Sequence, residues 1–213
     1  MRWRSGRRSS NVEDRRGRGI GGRVAAGGGL ATLVVIAIAL LTGTDPGEVA
    51  DLVAGPQASV EGPAGPPPAD DEQAQFVSVV LADTEETWRN LMPELGGPYQ
   101  EPTLVLFSDV VRSACGTASS AVGPFYCPLD GTVYLDMTFF RDLDQRLGAP
   151  GDFARAYVVA HEVGHHIQNL LGIAEEVSAR RQRASAAEGN ALSVRMELMA
   201  DCLRARAGIN PVV

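Results

Sequence analysis

All three histidines of the chain fall within six residues, His161-Glu162-Val163-Gly164-His165-His166. No other feature constrains the fold as tightly. The block lies in a segment, 152–171, whose apolar residues recur at helical spacing. On a helix, His161 and His165 stand at i, i+4 and project from one face, so two imidazoles can meet a single ion. Glu162 sits about 100° round the helix, beside such an ion rather than on it. Solvated or core histidines are the plainer reading, but a metal-ligand spacing that takes in every histidine favours the metal. Gly164 suits a place where another backbone comes close, at a cost of up to ~1 kcal/mol in helix propensity. His166 points about 100° away from His165, which assigns it to packing or support rather than to coordination.

Two histidines do not complete a zinc site, because catalytic zinc takes three protein ligands and keeps a position for water. The extended pattern with Gly three and His six residues after the second His is absent, since Gln168 and Leu171 stand there. A later carboxylate is the alternative. Glu175 and Glu176 follow the Gly172 turn without a supporting group, and Glu188, among small residues, reads as a loop position. Glu197 is the better candidate: it lies on an amphipathic segment, and Asp201 follows at i+4 on the same face. Glu197 can then bind metal while Asp201 accepts the outer N–H of a ligand imidazole, that of His161. With zinc to polarise a carbonyl and acidify a water, Glu162 would serve as general base and then acid in peptide-bond hydrolysis.

Charge restricts the partners. Every one of the 19 basic residues is Arg, and eight lie in residues 1–23 against only Glu13 and Asp14. The remainder carries 11 Arg against 24 acids, which argues against a nucleic-acid partner, because phosphate recognition needs a basic face on the folded part. Residues 1–23 therefore read as a basic cytoplasmic tail. Residues 24–43 hold no charge, and a helix of that length, at ~1.5 Å per residue, spans the roughly 30 Å hydrocarbon layer. The expectation is a transmembrane helix anchoring the protein to the cell membrane in a single pass. The strongly apolar centre, 30–41, also suits a cleaved signal peptide, and Arg7-Arg8 or Arg15-Arg16 a twin-arginine signal, yet no Ala-x-Ala site follows. The preceding arginines then place the N-terminus in the cytoplasm and the rest outside.

The segment 44–72, with six prolines among Gly and Ala, reads as a disordered linker. Residues 73–213 remain for one domain, since 213 residues with 45% hydrophobic content do not suffice for two. Periodicity predicts helices at 73–92, 137–147, 152–171, 174–187 and 191–207, and strands at 103–107 and 132–136. A few strands ahead of several helices give an α+β fold. The strand 132–136 fits either an edge that aligns a peptide by backbone pairing or an interior position. Cys115 and Cys127 flank a Gly, Ser and Pro-rich loop, and a disulfide there would stabilise by about 3 kcal/mol in an oxidising compartment. Three free thiols are the alternative. Cys202 is expected to be buried on the last helix.

These residues resemble a known family, the bacterial membrane-anchored neutral zinc metallopeptidases. The resemblance rests on MRWR at the start, the Gly-rich approach to the uncharged run, FVSVVLADTEETW at 76–88, CGTASSAVGPFYCPLDGTVYLD at 115–136, HEVGHHIQ at 161–168 and ELMADC at 197–202. It implies zinc held by His161, His165 and Glu197, Glu162 as the catalytic acid/base, and a zincin-like α+β fold with the motif helix under a small sheet. After Cys202 the chain departs from the family pattern, running LRARAGINPVV, which reads as a shortened C-terminus. Two other functions stay in view: a zinc-binding but inactive surface or scaffold protein, and a Cys-His hydrolase using Cys115 or Cys202. Substrate and oligomeric state have no signature in the sequence.

Overall fold

The computed structural model describes residues 2–16 and 65–207, which belong to one compact unit. The run 24–43 and most of the linker 44–72 lie outside the described residues. Among the described residues no helix is long and apolar enough to cross a membrane.

The architecture is α+β. A four-stranded sheet has the order β1 (Val12–Asp14), β2 (Thr103–Phe107), β6 (Thr132–Asp136), β5 (Phe125–Cys127). The first three strands run parallel, and β5 is antiparallel to β6. A hairpin of β3 (Val110–Ser113) and β4 (Gly116–Ser119) forms a separate two-stranded sheet. Five helices complete the unit: α1 (Glu72–Leu91), α2 (Thr138–Gln145), α3 (Asp152–Leu170), α4 (Ile173–Arg181) and α5 (Ala186–Arg206).

Strand alternation builds two cores. Leu104, Leu106, Val133 and Leu135 point to one face and pack with Val77, Leu81 and Trp88 of α1 and Val159, Val163 and Ile167 of α3. Val105, Phe107 and Tyr134 point to the other and meet Val111 of the hairpin and Cys127. With both faces covered, β2 and β6 read as nearly continuous apolar runs, which is why they were visible in sequence. The strand β6 lies between β2 and β5 and is therefore interior; β1 and β5 are the end strands.

The first residues are not a tail. Trp3 packs edge-on against Phe76, ring centroids 5.5 Å apart, and Val12 is buried. The strand β1 pairs with β2 from Val12↔Leu104 to Asp14↔Leu106. Glu85 of α1, 1% exposed, accepts from Arg7 Nη2 at 2.8 Å, from Asn11 Nδ2 at 2.9 Å and from the Ser9 hydroxyl. Among the described residues, arginines expected in a cytoplasmic tail form such pairs as well, Arg16 with Asp14 and with Asp71 at 2.7 Å. Removing water from a carboxylate this deep requires several donors, and the arm supplies them.

Helix ends follow local chemistry. Asp71 caps α1 by accepting from the Ala74 N–H at 3.0 Å. Ser185 and Glu188 form a capping box at the start of α5. That box ends α4 early and starts α5 early relative to the 174–187 and 191–207 expectation, and it gives Glu188 its role.

Candidate metal centre

The centre is built where α3 crosses α5. At the crossing, a Cβ on Gly164 would lie 2.7 Å from the Ala200 carbonyl oxygen and 3.1 Å from the Ala200 Cα. The glycine in the histidine block is therefore what admits the second helix, and Ala200 is the only α5 residue that is fully buried. Close approach sets the distance across which side chains of the two helices can meet.

One turn apart on α3, the rings of His161 and His165 lie 4.9 Å between centroids and almost perpendicular. Glu197 of α5 reaches between them, its Oε2 3.2 Å from His161 Nε2 and 3.4 Å from His165 Nε2. The three residues each offer one atom within 4.8 Å of the others, a spacing that suits a metal ion. Both imidazoles present Nε2 inward because Nδ1 is engaged elsewhere. His161 Nδ1 donates to Asp201 Oδ1 at 3.0 Å, and His165 Nδ1 lies 2.9 Å from Gln168 Oε1. Two imidazoles with acceptors behind them and one carboxylate make a donor set fit for zinc. Glu175, Glu176 and Glu188 stand away from it; Glu176 pairs with Arg180 on the surface.

Glu162 lies beside this cluster and is 8% exposed. Burial pushes its carboxyl up to about 7; His165 and the Tyr126 backbone N–H draw it down and Glu197 pushes it further up. A carboxyl near neutrality, adjacent to a metal-type cluster, is suited to moving protons. On the far side of Asp201, the Tyr157 hydroxyl donates to the same Oδ1 that His161 uses. That bond, with His161, holds Asp201 below the usual carboxylate range. Arg204 lies over the Tyr157 ring at 3.9 Å.

Above the cluster is a cleft of about 390 Å³ bordered by Phe125 and Tyr126 of β5 on one side and by His161, Glu162, His165 and Glu197 on the other. The strand along the cleft is thus β5 and not the 132–136 strand. Cys127 closes β5 and is joined to Cys115 by a disulfide, Cα–Cα 5.8 Å. Cys202 is exposed, against the expectation of burial: on α5 it stands off the Ala200 face. Cys115 is held in the disulfide, and the three imidazoles are engaged by Asp201, Gln168 and the Gln100 carbonyl rather than by a thiol, which speaks against the thiol hydrolase.

His166 faces inward, 3% exposed. Its Nε2 lies 2.7 Å from the Gln100 carbonyl, which can only accept, so Nδ1 accepts from the Tyr126 hydroxyl at 3.0 Å. Burial depresses its pKa. It braces β5 and the Gln100 loop and contributes no atom to the cluster. Gln168, Tyr157 and Tyr126 were missed in sequence. Gln168 alone carried a signal: at seven residues from His161 it returns to the same helix face.

The chain matches a family described as "Putative neutral zinc metallopeptidase" over residues 1–210. It is 48% identical to the uncharacterized protein YpfJ of Escherichia coli (strain K12) over 211 residues, 95% of this chain and 72% of that relative. It is also 48% identical over 119 residues, 55% of this chain and 38% of the relative, to an uncharacterized protein of Mycobacterium tuberculosis (strain ATCC 25618 / H37Rv). No solved structure matches the chain.

Proposed function

The chain belongs to the neutral zinc metallopeptidase family, and from that premise we propose that it is a zinc-dependent peptidase with a zincin-like arrangement. His161, His165 and Glu197 hold the metal, and Glu162 moves the proton. The observation that carries this reading is the convergence of three donor atoms within 4.8 Å beside a buried glutamate that no other group saturates. Zinc bound there supplies Lewis acidity to the scissile carbonyl and to the attacking water.

The chain's own groups do the rest. Glu162, ionised, accepts the proton of the attacking water and returns it to the departing amine. Asp201 keeps the proton of His161 on Nδ1, so that Nε2 carries the lone pair. The edge strand β5 borders the cleft, and a sheet edge suits an extended peptide laid alongside it. Peptide or protein substrates follow from this, with no nucleic acid.

The disulfide Cys115–Cys127 supports a domain that works in an oxidising, extracytoplasmic compartment. Membrane attachment through the uncharged run 24–43 remains part of the proposal, apart from the side on which the first residues lie.

The deciding experiment is cleavage of an unfolded protein by the purified chain, with and without chelator, in wild type and Glu162→Gln. Chelator-reversible cleavage lost in Glu162→Gln is expected. Zinc bound without any cleavage in wild type would instead select the inactive zinc-binding protein.

A further inference from the structure

We propose that Gln168 is the positioning residue of His165, fixing its tautomer and tying it to the helix that carries Glu197; this rests on the reading of His165 as a metal ligand. Gln168 is fully buried, at 0% exposure, and each of its polar atoms has a partner. Its amide nitrogen donates to the Met196 carbonyl at 2.7 Å. Its oxygen lies 2.9 Å from His165 Nδ1.

The assignment follows by elimination. The Met196 carbonyl can only accept, so it requires the NH2 side of the amide, and the oxygen must then face His165. An amide oxygen can only accept, so His165 Nδ1 must carry the proton. In the neutral ring, the form that binds a metal, the lone pair is then left on Nε2, the atom that faces Glu197. Because Met196 is the residue before Glu197, the same side chain also pins the α5 turn that presents the carboxylate. Asp201 performs the matching task for His161. The partners differ in charge: with Glu162, Glu197 and Asp201 already gathered here, a neutral amide orients the second imidazole without adding a fourth anion to a buried place.

The test is the histidine tautomer in the zinc-free protein, read from 15N shifts above the imidazole titration range, together with zinc affinity. With three histidines in the chain, assignment is direct. Wild-type His165 is expected as Nδ1–H. In Gln168→Met that preference is expected to be lost, and zinc affinity to fall about 10–100-fold. Gln168→Glu, which still accepts from Nδ1, is expected to keep the Nδ1–H form although it loses the bond to Met196. An Nε2–H tautomer in wild type overturns the proposal, as does a Gln168→Met protein that folds with tautomer and affinity unchanged. Wild type that shows Nδ1–H but binds no zinc would keep the tautomer lock and overturn the metal reading.

A separate observation carries a second inference: residues 2–16 and the metal centre lie on the same side of any membrane. A single crossing at 24–43 would put them on opposite sides, as the arginine-rich start suggested. The arm, however, is part of the core: Val12 and Trp3 are buried, β1 is hydrogen-bonded to β2, and buried Glu85 takes three donors from the arm. The Asp14 N–H donates to the Gly65 carbonyl at 2.8 Å, so the two described stretches meet at one place. Extracting the arm would strand a buried carboxylate and the edge of β2.

Thiol labelling of the full chain in intact bacterial cells tests this. Cys202, exposed on α5, reports the side of the metal centre, and Ser5→Cys, at an exposed position, reports the arm. With a membrane-impermeant maleimide, both sites are expected to label together, either before or only after permeabilisation. Labelling of one before and the other only after permeabilisation would overturn the inference.

Discussion

Two glutamates, Glu85 on α1 and Glu162 on α3, are both buried, at 1% and 8% exposure, yet their surroundings differ. Glu85 meets a guanidinium, an amide and a hydroxyl from the N-terminal arm. Glu162 has a single backbone donor and the repulsion of Glu197, and its carboxyl rises to about 7. Burial alone therefore does not mark a reactive carboxyl. The number of donors does: a saturated carboxylate fastens one segment to another, and an undersupplied one keeps its proton available for exchange.

Removing each carboxylate should separate the two roles most widely. Glu162→Gln is expected to lower kcat/KM by roughly 10²–10⁴-fold with zinc affinity nearly unchanged, measured by steady-state cleavage and zinc titration. Glu85→Ala should do the reverse, losing about 3 kcal/mol in urea unfolding without a selective effect on zinc. A Glu85 variant that folds normally but loses zinc would erase the distinction.

The helix crossing is the next point to press. Gly164→Ala drives a methyl against the Ala200 backbone, and overpacking of this kind costs about 1–3 kcal/mol. Because the same crossing sets the distance from Glu197 to the histidines, zinc affinity should fall along with the melting temperature. Unchanged affinity would mean that the centre does not depend on that approach.

Stability against pH sharpens the comparison further. Glu162 has its folded value raised from 4.5 to about 7, so the metal-free folded state holds the proton more tightly than the unfolded chain. Its contribution is fully present below about 4.5 and is lost as pH rises through about 7, by up to about 3 kcal/mol. The stability of metal-free wild type relative to Glu162→Gln should decline across that window, as denaturant unfolding at several pH values can read. The smallest effect is reserved for Tyr157→Phe. It removes one of two donors on Asp201 and should weaken zinc binding only several-fold, below the roughly 10–100-fold typical of losing a whole supporting partner.

The convergence of His161, His165 and Glu197 was legible because its geometry is local. Spacings of four residues on α3 and on α5 decide which side chains share a face, and the apolar runs of β2 and β6 announce strands covered on both sides. The rest depended on partners far away in the chain. The strand β1 has three residues of which only Val12 is buried, and it follows Arg7, whose acceptor Glu85 lies more than seventy positions on. The Gly and Ser-rich hairpin buries only Val111, and β5 has three residues that acquire meaning from the cleft beneath them. Cys202 was expected to be buried on the last helix, but α5 inserts only Ala200 fully.

The most direct measurement is zinc stoichiometry and affinity for wild type, Glu197→Ala and Glu162→Gln, side by side. One tightly bound zinc per chain is predicted in wild type and in Glu162→Gln, with binding lost or weakened by orders of magnitude in Glu197→Ala. Equal binding in all three proteins, or loss in Glu162→Gln while Glu197→Ala binds normally, would contradict the assignment of the centre.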